Sequence, residues 1–75
     1  MRLRSIFAAN LRAARRAAGL SQERLAELAD LDRTYISLLE NERYAVSIDT
    51  LERLADVLEL APVELLALRR DEQDG

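Results

Sequence analysis

Residues 20–40, LSQERLAELADLDRTYISLLE, hold two apolar runs at helical spacing, each opened by a polar residue, with only "ADLD" between them. Apolar residues three and four positions apart predict a buried stripe on each of two helices. A connection that short gives the helices no room to separate, so they must bend tightly and pack on one another. The second helix carries Arg33, Thr34 and Ser37, which its own packing does not require.

The rest of the chain restricts what such a pair can serve. With 75 residues it forms one domain at most. A chain this small buries little surface, and dimerisation is a common remedy. It has no cysteine and no histidine, which removes disulfides, thiolate metal sites, the commonest metal ligand and the commonest general base. Nothing forms a nucleophile–base pair, a metal cluster or a phosphate-cradling glycine loop, so an enzyme is not expected, nor a metal, cofactor or small-molecule ligand. No apolar run is long enough to span a bilayer. The Arg- and Ala-rich start leads through Gly19 into the next helix as part of one domain and not as a targeting peptide. The chain is therefore read as cytoplasmic, with no membrane partner.

Gly and Pro are scarce inside the apolar runs and strand alternation is absent, which predicts an all-α fold of five short helices. The first spans about Ile6–Ala18, capped by Ser5, with Phe7, Leu11, Ala14 and Ala18 on one stripe and Gly19 as its left-handed stop. The second is capped by Ser21 and turns Leu25, Ala26 and Leu28 inward; Asp30 occupies the turn, where Asp tolerates the left-handed region. Asp32 caps the third, about residues 32–41, with Ile36 and Leu39 inward. Ser47 caps the fourth, whose stripe is Ile48, Leu51, Leu54, Ala55 and Leu58. Pro62 opens a fifth, "PVELLALRR", before a solvated acidic tail at 71–75. Residues 1–70 form the domain.

Net charge is −3, but its distribution matters more: residues 1–19 hold five arginines and no acid, residues 44–75 three arginines and eight acids. All eleven basic residues are Arg, which suits phosphate and base recognition and equally fits a coding bias toward Arg and Ala. Two helices joined by a few residues make a helix-turn-helix, whose second helix lies in a DNA major groove with its N-terminal residues at base edges. On that geometry Arg33 can bind guanine bidentately, and Thr34 and Ser37 can donate or accept. Leu38 either meets a thymine methyl or is half-exposed filler.

"NLRAARRAAGLSQERLAELADLDRTYISLLE" followed by "SIDTLERLADVLEL" resembles the phage-repressor-type (XRE, Cro/cI-like) helix-turn-helix family over about residues 7–66. Within it, "LDRTYIS" is similar to controller proteins of restriction–modification systems. The resemblance implies a compact lambda-repressor-like bundle that binds double-stranded DNA. It implies base reading by Arg33, Thr34 and Ser37, with Leu38 beside them. Phosphate contacts are expected from Ser21 and Gln22 at the start of the second helix, and from Asn41, Arg43 and Tyr44. The Tyr35 ring either lies against the sugar-phosphate backbone or packs on the rim. Arg15 and Glu40 match a buried ion pair, a structural role. The sequence also departs from the family. Glu42 stands where the family has glycine after the recognition helix, Ala45-Val46 replaces Asn-Pro, and Asp30 and Glu59 replace glycines.

Val63, Leu65, Leu66 and Leu68 on a terminal helix exceed what one face can bury, which predicts a homodimer seam with two recognition helices about one DNA turn, roughly 34 Å, apart. The function expected is a dimeric transcriptional regulator on a pseudo-palindromic operator. The alternative on the same fold is an antitoxin or regulator-antagonist that docks on protein and has lost operator binding.

Overall fold

Three small polar side chains set where helices begin. Ser21 accepts from the Arg24 amide at 2.9 Å, Asp32 from the Thr34 amide at 2.7 Å and Ser47 from the Thr50 amide at 3.1 Å. Each satisfies an amide that the helix itself leaves unpaired, a contribution of about 1 kcal/mol. The computed structural model, which describes residues 2–68, accordingly holds α1 (Leu3–Ala17), α2 (Gln22–Leu28), α3 (Arg33–Glu40) and α4 (Ile48–Leu58), then a 3-10 turn at Pro62–Leu65. The expected acidic tail at 71–75, and Arg69 and Arg70 of the expected fifth helix, lie outside the described residues.

All four α-helices end in the same way. The residue after the last turn takes a left-handed conformation: Gly19 (φ 73), Asp30 (φ 58), Glu42 (φ 62) and Glu59 (φ 58). The amide that follows each one bonds back to the last turn: Leu20 to Arg15 O, Leu31 to Ala26 O, Arg43 to Leu38 O and Leu60 to Ala55 O. This is the Schellman arrangement, in which glycine is the least strained choice. Leu20, Leu31 and Leu60 then fold onto the core. Arg43, at the equivalent place after α3, stays exposed.

Phe7, Leu11, Leu25, Ile36, Leu39, Leu54 and Leu65 are fully buried at the centre. Burial of each such side chain stabilises by about 1.5–3 kcal/mol. Helix α2 packs on α3, α1 covers α3, and the 3-10 turn closes against α1 and α4. Among the described residues no helix is long and apolar enough to cross a membrane.

Five expectations are corrected. Helix α1 begins at Leu3, so Ser5 lies inside it and caps nothing; Arg2 stands at the cap position with no side-chain cap bond. Ala18 is exposed just past the end of α1. Leu28, the last residue of α2, and Ile48, the first of α4, project past the ends of their stripes and are 47% and 72% exposed. The fifth helix is a single 3-10 turn. Asn10, a buried residue of α1, anchors the segment that follows: its Nδ2 donates to Leu65 O at 3.1 Å and Ala67 O at 2.7 Å.

Candidate nucleic-acid interface

Helix α3 is fixed at its C-terminal end by charge. The Glu40 side chain is only 1% exposed. Its Oε2 accepts from Arg15 Nε at 2.7 Å, and its Oε1 from Arg15 Nη2 and from Gln22 Nε2, each at 3.1 Å. Arg12 Nε lies 3.5 Å from the same Oε1, and Arg12 Nη2 donates to the Glu40 carbonyl at 3.0 Å. Arg15 Nη1 reaches Leu20 O at 2.8 Å. Four side chains thus join α1, α2 and α3 at one point, and no buried side-chain polar atom among the described residues lacks a partner.

Burial alone would push the Glu40 carboxyl up; the hydrogen bonds from Arg15 and Gln22, with the charge of Arg15 and the Arg12 bond, outweigh it and hold the carboxyl below its ordinary range. The bond to Glu40 likewise raises the Arg15 guanidinium against the lowering effect of burial. Both groups therefore stay ionised, and the bidentate geometry fixes the angle between α1 and α3. Two arginines facing one carboxylate leave the cluster with an excess positive charge.

The N-terminal end of α3 is the opposite. Arg33 and Thr34 are exposed, and Ser37 and Leu38 are half-buried. Ion pairs among the described residues engage Arg12, Arg15 and Arg24, leaving Arg33 and Arg43 without one. Ser21 and Gln22 lie at the start of α2, Ser21 exposed and Gln22 half-buried. Gln22 is tied by its amide to Glu40 and so braces α3 directly. Asn41 turns back on the helix: its Nδ2 donates to Ser37 O at 2.9 Å and lies 3.3 Å from Ser37 Oγ. The Tyr35 ring packs against the core at the domain rim, its centroid 6.3 Å from that of Tyr44 and tilted by 59°. Tyr44 and Arg43 project from the loop that follows α3. Glu42, whose acidic side chain stands at a left-handed position, accepts from Ser5 Oγ at 2.6 Å.

Of the residues expected at a dimer seam, Val63 and Leu68 are 68% and 46% exposed and Leu66 is half-buried. Leu65 is corrected: it is 1% exposed and faces its own core, because the 3-10 turn directs it there. An apolar groove of about 180 Å³ runs beside Leu66 and is lined by Leu3, Phe7, Val46, Ile48 and Leu51.

Arg12, Asn10 and the Ser5–Glu42 contact were missed from sequence. Two of them left a signal. Arg12 lies three residues before Arg15 on one helix face. Asn10 is a polar residue between Phe7 and Ala14 on the buried stripe, a place that calls for a buried partner.

The Helix-turn-helix family (HTH_3) matches residues 11–65. A hypothetical transcription factor of Neisseria meningitidis is 41% identical over 64 residues, which is 85% of this chain and 60% of that protein. This chain therefore spans less than two thirds of that relative's length. The crystal structure of the hypothetical transcription factor NHTF from Neisseria superposes with a TM-score of 0.90 at 36% identity, covering 97% of this chain and 84% of that one. The control protein C.SmaI of Serratia marcescens is 41% identical over 66 residues, 88% of this chain and 79% of that protein. The restriction–modification controller protein C.Esp1396I, solved as a tetramer with its natural 35 base-pair operator, superposes with a TM-score of 0.78 at 34% identity, covering 87% and 86% of the two chains. The chain belongs to the XRE-type helix-turn-helix family of DNA-binding transcriptional regulators. Its relatives include restriction–modification controller proteins.

Proposed function

We propose that this chain binds a pseudo-palindromic operator as a homodimer in the cytoplasm, with α3 in the major groove, and so regulates transcription. The observation that carries the reading is the free, polar N-terminal face of α3 on a helix whose other end is locked by Glu40. Arg33 reads guanine O6 and N7. Thr34 and Ser37 hydrogen-bond base edges, Ser37 with its hydroxyl oriented by Asn41, and Leu38 meets a thymine methyl. Ser21, Arg43 and Tyr44 flank that face and take phosphates, which set register without reading sequence. Gln22 joins them while it braces Glu40. A controller protein of the same fold on its own operator supports DNA as the partner. Val63, Leu66 and Leu68 supply the seam, beside the exposed Leu3 and Ile48.

Selection of bound duplexes from a random pool tests the reading. The expected product is an inverted repeat with half-sites about one turn, roughly 34 Å, apart. No enrichment from folded protein at moderate salt rejects it and leaves a protein-docking role. Val63→Glu, at an exposed position, should give monomers in sedimentation with the helical signal kept; a surviving dimer moves the seam elsewhere.

A further inference from the structure

The first turn of α1 carries two exposed arginines, Arg2 and Arg4, and no acid. Neither arginine joins an ion pair among the described residues. Their position breaks a local rule of helix stability. The N-terminal end of a helix is its positive end, and anions stabilise it while cations do not. Local rules are most often broken where function takes precedence. The turn is also docked. Ser5 donates to Glu42 at 2.6 Å, and Arg4 lines a groove together with Ala45 and Val46. The Ser5 bond is with the loop that follows α3, and the groove is the apolar one beside Leu66, which that loop's Ala45 and Val46 help to line.

That loop is poorly equipped for phosphate. Across residues 41–46 its one cation, Arg43, is offset by Glu42, and the Asn41 amide is engaged by Ser37. The Ser5 bond does two things there. It engages the Glu42 carboxylate from α1, and it ties the turn that carries Arg2 and Arg4 to the loop. We propose that Arg2 and Arg4 are phosphate-binding residues, placed on the DNA backbone by the Ser5–Glu42 contact. The inference rests on the operator-binding reading above and deepens it. It fits a chain with a net charge of −3, because residues 1–19 carry five arginines and no acid.

The test is the salt dependence of operator binding by the full chain. Each phosphate contact removed lowers the slope of log affinity against log salt by about 0.9 on B-form DNA. Arg4→Gln in both protomers should therefore flatten the slope by about 1.8, and Arg2→Gln with Arg4→Gln by about twice that. The bases selected should not change, since phosphate contacts carry no sequence information. The free protein should unfold at a slightly higher temperature, because a cation leaves the positive end of α1. Arg53→Gln makes the same charge change on α4, where the side chain reaches Ala29 O, and should leave the slope nearly unchanged. Ser5→Ala should flatten the slope in the same direction as Arg4→Gln, by less. Should the unaltered chain bind its operator while Arg4→Gln and the double variant keep the wild-type slope, or lose no more than Arg53→Gln, the inference fails and operator binding stands. If the unaltered chain binds no duplex, both fall.

Discussion

The two ends of α3 are built on opposite principles. At the C-terminal end Glu40 is buried and bonded to Arg15, Gln22 and Arg12, with each partner fixed by its own helix. At the N-terminal end Asp32 caps the helix and Arg33 and Thr34 extend into solvent. One end determines where the helix is, and the other is left without an ion pair among the described residues. The proposed base-reading role needs both, because a side chain aimed at a base edge discriminates only if the backbone beneath it does not move.

Substitutions at the locked end should produce the largest effects on folding. Glu40→Ala leaves Arg15 buried without its partner and should destabilise by about 3–5 kcal/mol in denaturant or thermal unfolding. A loss under about 1 kcal/mol would show that the lock is ornamental. Acid should act on the same end. The Glu40 carboxyl is held below its ordinary range in the folded state, so its contribution is complete above the unfolded value of about 4.3 and disappears as pH falls through the folded value. Stability should drop steeply below about pH 4, and Glu40→Gln, less stable at neutral pH, should lose less over that range. At the free end, Asp32→Ala removes one cap and should cost about 1 kcal/mol. The smallest effects belong to the two left-handed residues that flank α3. Asp30→Gly should stabilise by up to about 1 kcal/mol. Glu42→Gly should gain less, because it also removes the Ser5 hydrogen bond. Equal gains from the two would show that this bond contributes nothing to folding.

The free end was the more legible one. Ser21, Asp32 and Ser47 announce helix starts through the chemistry of a short acceptor before an apolar run, and each acts as a cap in the structure. The beginning of α1 has no such marker, and the Ser at position 5 suggested a start three residues late. The run Val63, Leu65, Leu66, Leu68 has helical spacing, and nothing local forbids a helix there. There the structure has a single 3-10 turn, and a distant side chain, Asn10, bonds to the Leu65 and Ala67 carbonyls. Long-range hydrogen bonds of this kind have no periodic signature. The same holds for Ser5 and Glu42, 37 residues apart in the chain. The Arg15–Glu40 contact came from family resemblance; spacing alone would not have paired two residues 25 apart on different helices.

The proposed role of Arg33 is to read a base from a fixed helix. The most direct measurement compares the duplexes selected by the unaltered protein with those selected by Arg33→Ala. Arg33→Ala should lose discrimination at one position in each half-site, by about 1–3 kcal/mol, and keep it at the others. An identical selected sequence from the two proteins would contradict the assignment of the α3 N-terminal face as the reading surface.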